Sequence, residues 1–180
     1  ETRPCRSSVV MTGPVQDAKQ PVSVLMAGPY GHPFHPILVT VPIGAWVAST
    51  VFDVASRIVT DPMFLTKGSL WLIGIGIVGA LGAALVGFLD LFAIPPGTTA
   101  HRTALLHMTL NLAVTGAYVA NFIWRRSTYD ESAVVAYGPL LLSAVSLVVL
   151  GAAGYLGGKL AFRFGVRVAA ETTQEEGFRS

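Results

Sequence analysis

The chain has 180 residues, of which 52% are hydrophobic and only 12% charged, with a mean hydropathy of +0.60 and a formal net charge of +2. Soluble domains carry about 25% charged residues, because charge covers their surface. The composition therefore predicts an integral membrane protein. The small net charge, without a basic stripe interleaved with aromatic residues, argues against nucleic acid as a partner. A single cysteine, Cys5, excludes an internal disulfide and a Cys-based metal cluster.

Residues 1–30 form a polar N-terminal tail that ends at the run from Gly31 to Pro36 (GHPFHP). Two prolines fix two backbone φ angles and remove two N–H donors, so we expect this run to be stiff and extended. Pro36 can open a helix, because the first helical residue has no use for its N–H. The run thus presents His32 and His35 at the start of the first apolar segment.

Four apolar segments follow, at about 36–57, 68–94, 101–124 and 139–162. Each is long enough to cross a bilayer, which takes about 20 helical residues. The short connections require antiparallel neighbours, so we predict an all-α, up-down four-helix transmembrane domain over 31–163, with a C-terminal tail over 164–180. No repeat of fixed period is apparent.

Proline and small residues predict how the spans pack. Pro42 leaves the carbonyl of Leu38 without its helical donor and predicts a kink, where Thr40 is a candidate to satisfy the backbone. Small residues spaced four apart let helices approach closely in lipid. Three such ridges are predicted, formed by Gly76-Ala80-Ala84, Gly79-Ala83-Gly87 and Gly154-Gly158.

Four spans put both termini on one side of the membrane, which we call the tail face. The span ends on this face carry all four histidines together with an intramembrane aspartate: His32, His35, Asp90, His101 and His107. His107 and Asn111 are four residues apart and share a helical stripe. A buried carboxylate needs a partner, which for Asp90 could be His101, Arg102 or His107.

The residues expected at the opposite membrane face predict a structural polar network. Asp53 and Arg57 have the i,i+4 spacing of a helical ion pair, and Asn121 and Arg125 share a stripe in the same way. We interpret the four residues as an interfacial network that locks spans one and three together.

Three hypotheses compete for the histidines. The first is a b-type haem, ligated by His107 with His35 or His32 and lined in part by Asn111. The second is a metal ion or proton-transfer site, for which His32, His35, Asp90 and His101 supply nitrogen and oxygen donors. The third is purely structural, with histidines and Asp90 bonding to one another and to backbone freed by the prolines.

Catalysis finds no support in the sequence, which has no arrangement for nucleophilic catalysis, no phosphate-binding glycine loop and no HExxH. We therefore expect a protein that is not an enzyme. The positive-inside rule leans, by one residue, toward cytoplasmic termini in the cell inner membrane.

The run from Gly31 to Gly44 (GHPFHPILVTVPIG) resembles the opening signature of a bacterial four-helix membrane family, domain of unknown function 2231. The resemblance extends over about 31–162, and its matched polar residues are His32, His35, Asp90, His107 and Asn111. The family has no established activity. Some members are fused to Rieske-type iron–sulfur domains, which implies proximity to electron transport, but this chain lacks the ligands of such a domain.

These observations predict an accessory or structural subunit of a larger membrane complex of the electron-transport type. Its partners would be the lipid bilayer and other membrane subunits. The alternative is a small haem b electron carrier that uses His107 with His35 or His32.

Overall fold

The structure is a computed structural model that describes residues 18–19, 33–127 and 134–178, apart from the side chains at 172 and 176. His32 lies outside the described residues. Within them the chain is helical and contains no strand. The helices are α1 (Phe34–Leu38), α2 (Thr40–Ala55), α3 (Met63–Leu91), α4 (Thr99–Arg126), α5 (Tyr137–Phe162) and α6 (Glu171–Glu176).

Four helical segments are long and apolar enough to cross a membrane, and α1 and α2 together make the first of them. This confirms the predicted class, an all-α membrane domain with four spans. The outward surface is apolar, as a bilayer requires: Trp71, Val78 and Leu85, spaced seven apart on α3, are 70–72% exposed.

The first span begins earlier than predicted, and a single turn residue, Val39, separates α1 from α2. Because α1 starts at Phe34, His35 lies within a helix, and the prediction of an extended run up to Pro36 was wrong from Phe34 onward. The break between α1 and α2 falls three residues before Pro42, where the proline cannot donate to Leu38. Thr40 Oγ1 donates to the carbonyl of Ile37 (2.7 Å) and so satisfies one backbone acceptor beside this break.

Glycines on α3 allow the first span to pack closely against the second. A methyl group on Gly76 would lie 2.2 Å from Trp46 Nε1, and one on Gly79 would lie 2.7 Å from a methyl carbon of Val41. Such distances leave no room for a side chain, so the two predicted small-residue ridges do face a neighbouring helix. The predicted ridge on α5 is different, because Gly154 faces open space.

The centre of the bundle contains an aromatic pair. Trp46 on α2 and Tyr118 on α4 are almost fully buried, and their rings stack at 4.1 Å with an angle of 9° between planes. Ile73 from α3 and Val114 from α4 pack against them.

A second core cluster closes the tail face. Ile94, Ala104 and Leu160 are buried there, and Phe164 and Val166, which follow α5, pack on them. The folded domain therefore continues past residue 163, the predicted boundary.

Candidate functional site

A buried ion pair joins the first and third spans near the face opposite the tail. Arg125 on α4 binds Asp53 on α2 through two parallel bonds, Nη1 to Oδ1 at 2.8 Å and Nη2 to Oδ2 at 2.6 Å. Asp53 is fully buried and Arg125 is 7% exposed. This bidentate geometry suits a planar guanidinium and a carboxylate.

The other two spans complete the coordination of Arg125. Its Nη1 also donates to Ser69 Oγ on α3 (3.0 Å), and its Nη2 donates to Ser143 Oγ on α5 (3.3 Å). Its Nε donates to Asn121 Oδ1 (2.8 Å), and the Asn121 amide in turn donates to Ser143 Oγ (2.8 Å). All five guanidinium N–H groups thus have an acceptor. All four spans meet at this network.

Arg57 lies apart from this network, contrary to the pairing with Asp53 that the i,i+4 spacing suggested. Both carboxylate oxygens of Asp53 bind Arg125, whereas Arg57 donates to the carbonyl of Val135 before α5 and lies over the Tyr137 ring, 3.9 Å from its centroid. Arg57 therefore anchors the residues before α5. Ser69 and Ser143 take the place of Arg57 in the network around Arg125. No spacing in the sequence indicated these two serines.

On the tail side, two of the candidate histidines come together. The rings of His35 on α1 and His107 on α4 have centroids 6.3 Å apart, with an angle of 76° between their planes. His35 Nδ1 lies 2.9 Å from the carbonyl oxygen of Ala83 on α3, and His107 Nδ1 lies 2.8 Å from that of Ala153 on α5. Because a carbonyl oxygen can only accept, both Nδ1 atoms carry the proton. When such a ring is neutral, its Nε2 keeps a lone pair.

Two glycines leave room for the imidazoles against the neighbouring helices. A methyl group on Gly87 would lie 2.9 Å from His35 Cε1, and one on Gly157 would lie 3.0 Å from His107 Cε1. In each case the glycine comes four residues after the alanine whose carbonyl accepts from the histidine. Each ring thus lies in a notch made by one helical turn.

Asn111 contacts His107 mainly through the backbone. Its Nδ2 donates to the carbonyl of His107 at 2.8 Å and lies 3.4 Å from both ring nitrogens. The short bond is the back-bond to the preceding turn, so the amide borders the imidazole without engaging Nε2 closely.

Asp90 pairs with a residue that the sequence did not indicate. Its Oδ1 lies 3.0 Å from Arg167 Nε, and the two side chains are 13% and 7% exposed. The contact is an ion pair. The predicted partners, His101, Arg102 and His107, are not used. Arg167 comes after the fourth span, in the segment expected to be a tail.

His101 stands apart from the imidazole pair. Its Nδ1 is buried and has no hydrogen-bond partner within the residues that the structure describes. In the same residues, no group of three or more His, Cys, Asp or Glu side chains could hold a metal ion. His35, Asp90 and His101 therefore do not assemble as the metal hypothesis required, and the fourth proposed ligand, His32, lies outside the described residues.

The fold and these contacts define a multi-pass membrane protein with a buried polar network inside its four-helix bundle. Residues 31–170 match the family described as "Predicted membrane protein (DUF2231)", and the chain belongs to that family. The match confirms the resemblance seen in the opening run. No curated protein and no solved structure matches the chain.

Proposed function

We propose that the chain is a small membrane electron carrier that holds one b-type haem between His35 and His107. The observation that carries the proposal is the pair of imidazoles from different spans, each oriented by a bond from Nδ1 to a backbone carbonyl. Histidines that bind metals almost always donate their other ring nitrogen in this way. A bound haem would supply one-electron chemistry.

The two imidazoles come from different spans and lie close together. The ring centroids of His35 and His107 are 6.3 Å apart, so these two residues would hold the group between them. The bonds from Nδ1 to the backbone carbonyls of Ala83 and Ala153 orient both rings.

The number of ligands favours haem over a bare metal ion. A structural metal ion usually takes four protein ligands, but the described residues offer no group of three. A b-type haem would need only two protein ligands, which His35 and His107 would supply. Two imidazoles in an apolar bundle satisfy this requirement.

A second candidate function is a non-catalytic subunit of a larger membrane complex. Gly151 and Gly154 on α5 are exposed and have open space beside their Cα atoms. Small residues on a lipid-facing helix allow another helix to approach closely. This surface supports docking against a partner span.

One experiment separates the two candidates. The protein is extracted in mild detergent from haem-replete membranes, and its absorption spectrum and mass are measured. The haem proposal predicts a Soret band and split visible bands on reduction. His35→Ala and His107→Ala should each lower bound haem at least about tenfold, whereas His101→Ala, which lies outside the pair, should leave it unchanged. A colourless protein that elutes with a stoichiometric partner would support the subunit; a colourless monomer would contradict both.

We further propose an orientation with cytoplasmic termini in the inner membrane, supported by the slight excess of basic residues on the tail face. Cys5 is the only cysteine and lies in the N-terminal tail, so it can report the orientation. A membrane-impermeant maleimide should label it only after the inner membrane is opened. Labelling of Cys5 in intact spheroplasts would indicate the opposite orientation.

A further inference from the structure

The residues that meet at the centre of the bundle occupy matching positions in the first and third spans. His35 meets His107, Trp46 stacks on Tyr118, and Asp53 binds Arg125. The two members of every pair are 72 positions apart in the chain. The runs around the aromatic pair are nearly identical, GAWVA at 44–48 and GAYVA at 116–120.

The second and fourth spans match in the same way, with an offset of 70 positions. His35 and His107 donate to the carbonyls of Ala83 and Ala153. Trp46 Nε1 donates to the carbonyl of Ile73, and Tyr118 Oη donates to that of Ser143, both at 3.4 Å. Both acceptor pairs, and the two notch glycines Gly87 and Gly157, are 70 positions apart.

We propose that the chain consists of two copies of one helical-hairpin unit, related by a pseudo-twofold axis that runs along the bundle between the paired residues. We further propose that Gly87 and Gly157 are equivalent positioning residues for the imidazole pair. The axis is parallel to the spans because the first and third spans run in the same direction. Residues that meet their own counterparts are the mark of a twofold contact.

The equivalence of Gly87 and Gly157 deepens the proposed function. Where haem binding is concerned, it rests on that function. The unit supplies one imidazole, one carbonyl acceptor and one notch glycine, so each hairpin contributes the same half of the site. At other positions the two hairpins carry different residues. The counterpart of Gly82 is Ala152, and the counterpart of Gly151 is Leu81, so those two glycines are not part of the shared design.

Matched glycine variants test the proposal. Gly87→Ala and Gly157→Ala add a methyl group about 3 Å from Cε1 of their respective rings and should displace the bond from Nδ1 to the carbonyl. Each should weaken haem binding by roughly 10–100-fold, the usual effect of losing an orienting partner. The controls Gly82→Ala and Gly151→Ala, which add a methyl group in open space, should change it less than about twofold.

A second measurement does not depend on haem. Nitrogen-15 NMR of labelled histidines in the haem-free protein should show two imidazoles protonated on Nδ1 alone. Gly87→Ala should alter one of these signals and Gly157→Ala the other, with both controls silent. If the wild-type protein binds no haem, the proposed function fails and this spectrum alone decides the inference. Unequal effects of the two variants, or fewer than two imidazoles protonated on Nδ1, would overturn it.

Discussion

At the residue scale, the most constrained group is the Arg125 guanidinium. Two of its bonds go to Asp53, and the other three go to Asn121, Ser69 and Ser143. A charge in the apolar part of a bundle is tolerated only when it is paired and its hydrogen bonds are made. The network therefore fixes one arrangement of the four spans.

Removing one charge should destabilise the bundle more than removing both. Asp53→Asn leaves Arg125 buried without its counter-ion and should lower the free energy of unfolding by about 3–5 kcal/mol. The double variant Asp53→Leu, Arg125→Met should lose less free energy of unfolding than either of its single variants, because no buried charge remains. Unfolding by SDS in mixed micelles gives these values. A double-variant cost equal to the sum of the single costs would show that the two charges are not coupled.

At the element scale, the spans themselves were predictable and their partners were not. Four apolar runs and short loops predict an antiparallel bundle, because lipid leaves a backbone few other options. The break before Pro42 also follows from a local rule. The helix start at Phe34 was not predicted from the sequence. A residue before proline prefers extended backbone, but here His35 lies in the first turn of a helix.

Side-chain partners depend on how the helices rotate about their axes, and hydropathy does not determine this rotation in so apolar a sequence. Asp53 was assigned to its neighbour in sequence, Arg57, but binds Arg125 from another span. Likewise, Gly154 and Gly158 were assigned to a packing face, although Gly157 is the residue that contacts His107. The signal that could have helped was the pair of spacings, 11 and 7 residues, that separate the key side chains in both the first and the third span.

At the scale of the whole molecule, the segment after α5 is part of the bundle. Phe164 and Val166 pack on the tail-face cluster, Arg167 pairs with Asp90, and the backbone N–H of Arg167 donates to the carbonyl of Ala18 (3.0 Å). Arg167 has a φ of 59°, which is unfavourable for a residue other than glycine. The surrounding contacts hold this conformation, so the segment acts as a strap across the end of the bundle.

The ion pair to Asp90 should hold this strap closed. Asp90→Asn removes the charge that Arg167 meets and should weaken the strap by roughly 1 kcal/mol, which corresponds to about fivefold faster hydrogen exchange at the strap amides. The amides to follow are those of Val166 and Arg167, which donate to the carbonyls of Leu160 and Ala18. Arg163→Gln removes an exposed charge nearby and serves as the control. Equal exchange rates in the two variants would mean that apolar packing of Phe164 and Val166 holds the strap without the ion pair.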